Sequence, residues 1–140
     1  MTGLVLEDLS LDQAAERSWL VSEATIAAFV EVSGDANPVH LDEAFAAKTA
    51  FKGRIAHGML AASYISAVIG MQLPGPGTIY LSQALKFRRP VRIGDTVVVR
   101  VSITGIDTAR AQVTLSTLCS VGGKSVVDGE AVVMVSRRGG

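Results

Sequence analysis

The chain has 140 residues and one cysteine, Cys119, so it can form neither an internal disulfide nor a cysteine-built metal cluster. That usage suits a reducing cytoplasm. Excess charge of either sign is also missing: 13 Lys and Arg balance 13 Asp and Glu, and the pI is about 6.7. A protein that tracks nucleic-acid phosphates or clings to an anionic membrane needs a cationic surplus, so both classes are excluded as expectations. Charge itself is scarce. Charged residues make up 19% and hydrophobic residues 49%, against about 25% charged in ordinary soluble domains, and this predicts an oligomer that hides surface a monomer would expose. The start, Met1 to Asp8, lacks a basic segment and meets Glu7 and Asp8 before any apolar stretch forms, which does not read as a secretory signal. The apolar run Met59 to Leu73 covers fifteen residues before Pro74-Gly75-Pro76-Gly77 stops it. As a helix it would reach about 22 Å, short of a hydrocarbon core of about 30 Å. No repeat, low-complexity tract or linker interrupts the chain, so residues 1–140 read as one domain, long enough to bury about two-thirds of its surface.

A first helix is expected from Ser22 as N-cap, with Glu23 in its first turn, Ile26, Phe29 and Val30 on one face, and Gly34 at its end. A second is expected from about Leu41 to Ala50 with Phe45 inward. Between them, Gly34 to His40 reads as a loop, because the Asn37-Pro38 step biases the chain away from αR. After the Met59–Leu73 helix the period changes from 3.6 to 2. Val97, Val99, Val101 and Ile103 share one strand face. Gln112 to Val121 reads as the next strand, with Val113, Leu115 and Cys119 inward. Gly122-Gly123 signals a two-residue hairpin into a strand from Lys124 to Ser136, and an earlier strand covers Ile79 to Phe87. The fold class is therefore α+β, a curved antiparallel sheet wrapped around a long central helix that must be covered on several sides.

Four features could carry chemistry. Asp35 and His40 lie five residues apart in a loop shaped by Gly and Pro, a spacing that lets a carboxylate and an imidazole hold one water and exchange two protons. On spacing alone, Asp35 could equally close the turn and His40 cap the following helix. His57-Gly58 stands at the mouth of the central helix, where an uncovered N–H, aided by the helix dipole, can hold a carbonyl oxygen that gains negative charge; the plainer reading is a tight turn into the helix. Met59, Ala62, Ser63, Ser66 and Gly70 form a stripe of mostly small residues at helical spacing, with the serines free to meet a substrate or to bond back to their own helix. Lys86, Arg88 and Arg89, with Lys52 and Arg54 elsewhere, could meet phosphates of an anionic ligand such as coenzyme A, or could simply be solvated. A serine hydrolase elbow and a nucleotide-binding glycine fingerprint are absent from the sequence, and His40 with His57 lacks the further ligands a metal site would want.

Read as one string, Phe29-Val30-Glu31-Val32-Ser33-Gly34-Asp35-Ala36-Asn37-Pro38-Val39-His40-Leu41-Asp42 resembles the signature loop of the MaoC-like (R)-specific enoyl-CoA hydratases. His57-Gly58-Met59-Leu60 resembles that family's helix start, and Leu85 to Val91 with Gly94-Asp95 resembles its next strand and turn. The resemblance implies the hot-dog fold and reversible syn hydration of trans-2-enoyl-CoA to (R)-3-hydroxyacyl-CoA, with no metal or other cofactor. It implies that Asp35 and His40 are catalytic, that the Gly58 N–H stabilises the enolate-like transition state, and that Ser66 supports the substrate while Asn37 shapes the loop. It further implies a homodimer and a link to (R)-3-hydroxyacyl supply for polyhydroxyalkanoate synthesis. Two rivals stand beside this reading. A hot-dog acyl-CoA thioesterase often carries a carboxylate on the central helix, and Met59 to Leu73 contains none. A non-catalytic acyl-binding subunit would not need Asp35, His40 and Gly58 together.

Overall fold

Strands and helices follow the capping and alternation signals closely enough to fix where the chemistry sits. In the computed structural model, which describes residues 2–140, the order is β1 (Ala14–Leu20), α1 (Glu23–Ser33), α2 (Pro38–Leu41), α3 (Glu43–Ala47), α4 (Gly58–Met71), β2 (Ile79–Phe87), β3 (Thr96–Asp107), β4 (Gln112–Val121) and β5 (Lys124–Met134). The strands form one five-stranded sheet in the order β1-β3-β4-β5-β2, with every neighbouring pair antiparallel. This is the α+β arrangement of a sheet folded around a central helix.

The sheet owes its inner face to period-2 alternation. Val97, Val99, Val101 and Ile103 of β3, and Val113, Leu115 and Cys119 of β4, are all buried in one core with residues of α4. The β4–β5 hairpin pairs Val121 with Lys124 across Gly122-Gly123. Both glycines have positive φ, +58° and +80°, the conformation that matches a two-residue turn to strand twist. α4 contributes Leu60, Ala61, Tyr64, Ile65, Val68 and Ile69 to the core. Its other face is open: Met59, Ser63, Ser66 and Met71 are exposed in the single chain, so the expected cover on several sides is not supplied by this chain alone.

Several elements differ from the sequence expectation; β5, for one, ends at Met134, two residues short of Ser136. β1 has no alternating apolar pattern and gave no signal; it pairs with β3 as an edge strand, and its Trp19 stacks face to face on Tyr64 with ring centroids 4.4 Å apart. The expected Leu41–Ala50 helix is two short helices. Asp42 stops α2 and starts α3 by accepting a hydrogen bond from the Phe45 N–H at 3.0 Å. Phe45 is therefore exposed, and Ala46 is the buried residue. The central helix starts one residue earlier and ends two residues earlier than Met59–Leu73.

Candidate active site

Two helix caps bring the functional segment into shape. Ser22 caps α1 through the Thr25 N–H, and α1 ends on Gly34, whose φ of +78° turns the chain out of the helix. Residues 35–37 then cross to α2. Asp35 Oδ1 accepts the Asn37 N–H at 3.1 Å, and Asn37 Oδ1 accepts the Val39 N–H at 3.1 Å. Asn37 is thus the N-cap of α2, with Pro38 at the first helical position, where its missing N–H costs nothing. The stretch expected to be loop throughout ends in a helical turn, and that turn carries His40 inward.

His40 is gripped from several directions. Its Nδ1–H donates to the Ile55 carbonyl at 2.7 Å; a carbonyl can only accept, so the neutral ring keeps its lone pair on Nε2. Its own carbonyl accepts from Arg54 Nε at 2.8 Å, and the Arg54 guanidinium makes a two-pronged ion pair with Glu23 at 2.6 and 2.9 Å. That hydrogen bond from Arg54 holds the Glu23 carboxyl below its ordinary range. Arg54 therefore ties α2 to α1 and is engaged inside the fold, not free to meet a phosphate as the sequence suggested.

His57 is the residue that spacing did not single out. It is buried and serves as the N-cap residue of α4. Its Nε2–H donates to the Asp35 backbone carbonyl at 2.9 Å, and its ring stacks on His40 with centroids 3.8 Å apart. Phe29 of α1 packs against it at 4.8 Å. The contact spans 22 residues, which local spacing cannot register; the one available hint was that both histidines of the chain fall in the two family-like strings. Asp35, His40 and His57 so converge that one ligand-capable atom from each lies within 4.8 Å of the others. The sequence reading left the histidines without a third ligand, and Asp35 supplies one. Nearly parallel rings (27° apart) nevertheless direct their in-plane lone pairs alongside one another, not at a common point, and this is poor geometry for a shared ion.

Asp35, His40, His57, Gly58, Met59 and Phe87 line a cleft of about 240 Å³. Gly58 opens the fourteen-residue α4, so its N–H lies in the unpaired, positive first turn. A Cβ there would stand 2.8 Å from the ring of the exposed Phe87 and would push that side chain aside. A second cleft, also about 240 Å³, shares His57, Gly58 and Phe87 and adds Phe51, Arg88 and Arg89. Arg88 and Arg89 thus reach the site's vicinity, while Lys86 lines neither cleft. Arg88 is paired with Asp128 at 3.0 and 3.2 Å, and Arg89 donates to the Ser125 carbonyl at 2.7 Å. Ser66 is exposed two turns along α4 and lines neither cleft. Ser63 bonds back to the Leu60 carbonyl at 2.6 Å, the intrahelical alternative weighed above.

The arrangement offers a carboxylate, an imidazole lone pair and a helix-start N–H to one small volume, which is the equipment for adding or removing water beside a carbonyl. The MaoC like domain family matches residues 9–123. The chain is 52% identical to the (R)-specific enoyl-CoA hydratase of Rhodospirillum rubrum over 95% of this chain and 92% of the relative. It is 47% identical to the 3-hydroxybutyryl-CoA dehydratase of Methylorubrum extorquens over 96% of this chain and 86% of that one. The crystal structure of the (R)-hydratase from Aeromonas caviae involved in PHA biosynthesis superposes with a TM-score of 0.89 at 46% identity, covering 92% of this chain and 98% of the other. With that hot-dog architecture and this loop, the chain belongs to the MaoC-like family of hydratases and dehydratases.

Proposed function

We infer that the protein is an (R)-specific enoyl-CoA hydratase, a hydro-lyase acting as a single domain. The observation that carries this is the convergence of Asp35 and His40 beside the Gly58 N–H in one cleft. Asp35 and His40 hold a water between them. As its oxygen bonds to C3 of a trans-2-enoyl thioester, the pair takes the proton, and the alkene electrons move toward the thioester carbonyl. The Gly58 N–H meets the charge developing on the carbonyl oxygen. The pair then returns a proton to C2 on the same face, giving the (R)-3-hydroxyacyl thioester; the reverse is dehydration. The C2 proton is assigned to the pair as a unit. Such a product is the kind of unit that polyhydroxyalkanoate synthesis consumes. Asn37 holds the loop, and the acyl chain runs along the small stripe of α4 that includes Ser66. The Arg88–Arg89 cleft, with Lys86 at the end of β2 just before it, faces the coenzyme A end.

The reading includes a homodimer. Among the described residues β2 pairs only with β5 and leaves its other edge free, with Ile79, Leu81 and Phe87 exposed. A second copy added edge to edge would continue the sheet and cover apolar surface on a chain with little charge. No helix among the described residues is long and apolar enough to cross a membrane, and one buried free thiol, Cys119, fits a cytoplasmic protein.

The test is mass analysis of products after incubation with crotonyl-CoA in water, followed by chiral analysis. A CoA ester heavier by one water, of (R) configuration, is the expected result. Free CoA with released acid would instead make the protein a thioesterase, and α4 contains no Asp or Glu to drive that reaction. Unchanged enoyl-CoA across short and long acyl chains would leave a binding subunit.

A further inference from the structure

We propose that His57 is a positioning residue that sets the distance between the acid–base pair and the oxyanion donor, an inference that rests on the hydratase reading. The side chain of His57 holds the Asp35 carbonyl through Nε2–H at 2.9 Å, and its main chain leads directly into Gly58. One residue therefore ties the segment that takes the proton to the N–H that receives the charge. The ring lies on His40 at 3.8 Å and against Phe29 at 4.8 Å, so it also limits how far the His40 imidazole can tilt. Asp35 is exposed, and its side chain bonds only within its own turn, to the Asn37 N–H. Among the described residues, the bond from His57 is the long-range tie that fixes this turn against α4.

The ring has no second polar task. His57 Nδ1 is buried and has no hydrogen-bond partner among the described residues. A core position filled for packing alone would favour an apolar ring, which leaves no polar atom buried and unpaired. Retaining an imidazole there makes sense through the single bond to Asp35.

Two variants separate the bond from the ring. His57→Phe keeps a ring on His40 and loses the donor; His57→Gln loses the ring and keeps an amide N–H where Nε2 stood. Both are compared with wild type by crotonyl-CoA kinetics and by hydrogen exchange of the amides of residues 35–41. The expected result for His57→Phe is a folded protein with kcat lower by about 10- to 100-fold and KM nearly unchanged, since a misplacement near 1 Å costs about that much. Its 35–41 amides exchange faster, and His57→Gln restores most of both quantities. Wild-type kcat and exchange in His57→Phe would overturn the proposal. So would His57→Gln failing as badly as His57→Phe while both remain folded. Should wild type hydrate no enoyl-CoA, the hydratase reading falls, and the exchange data alone decide the positional tie: faster in His57→Phe and restored in His57→Gln supports it, unchanged refutes it. If His57→Phe does not fold, His57→Gln with wild-type kcat and exchange supports the tie, and a slow, fast-exchanging His57→Gln overturns it.

Discussion

The three long strands β3, β4 and β5 and the segment from Gly34 to Gly58 are built on opposite rules. The strands bury Val, Ile, Leu, Ala and Cys side chains on their inner face, and the one buried hydroxyl there, Thr117, is met by Gln83 Nε2 at 3.0 Å. Apolar side chains of similar volume and shape could replace most of these. The segment 34–58 buries two imidazoles and ties its side chains to particular partners: His40 Nδ1 to the Ile55 carbonyl, His57 Nε2 to the Asp35 carbonyl, and Arg54 to the His40 carbonyl and the Glu23 carboxylate. Most of the buried apolar surface lies in the first region, and the residues proposed for activity lie in the second. A fold of this kind can change one with little effect on the other.

The sharpest way to break that division is at the acid–base pair. Asp35→Asn preserves an oxygen for the Asn37 N–H, and His40→Gln preserves polarity; each is expected to lower kcat by about 10²- to 10⁴-fold with thermal midpoint unchanged. A large fall in midpoint would show that the segment carries stability after all. The converse change is Leu115→Ala, a fully buried side chain of β4. Denaturant unfolding should show a loss of about 2–5 kcal/mol, with kcat intact at temperatures where the variant stays folded.

Between these extremes lies the Arg54–Glu23 pair, which ties α1 to the His40 carbonyl and lines neither cleft. Arg54→Met should reduce kcat by roughly tenfold through loosening of His40, read by steady-state kinetics. Because the folded-state carboxyl of Glu23 sits below its unfolded value, the pair stabilises fully above the ordinary carboxyl range, about pH 4.3. That contribution fades as pH falls through the lowered value. The stability difference between wild type and Glu23→Gln is therefore expected at neutral pH and gone in strong acid, as an acid titration of unfolding would record. The smallest effect belongs to Cys119. Burial pushes its thiol up to about 12, so the folded protein should resist iodoacetamide at pH 8 by mass analysis and lose no activity to it.

How much of this could be read before the structure follows the same division. β2, β4, the hairpin at Gly122-Gly123 and α1 with its two caps are written in local patterns, and the observed bounds match the expected ones. The proximity of Asp35 and His40 was legible because they stand five positions apart with Asn37-Pro38 shaping the intervening turn. β1 was not, since an edge strand such as Ala14–Leu20 owes its conformation to a partner, β3, some eighty residues away. The roles of Arg54 and His57 were hidden for the same reason: their partners lie 31 and 22 residues off, and no period or cap announces them. Asp42 was legible in principle as an N-cap, but the apolar spacing around Phe45 favoured one continuous helix.

The stack of Trp19 on Tyr64 has a practical consequence. Trp19 is the only tryptophan of the chain, it joins the edge strand to the central helix, and the Arg17 guanidinium lies 4.6 Å above its ring. Indole emission is therefore a single-site optical gauge of whether β1 is docked on α4. A red shift that precedes loss of far-ultraviolet ellipticity would reveal the sheet opening from this edge while the remaining strands still hold, and the protein needs no attached dye to report it.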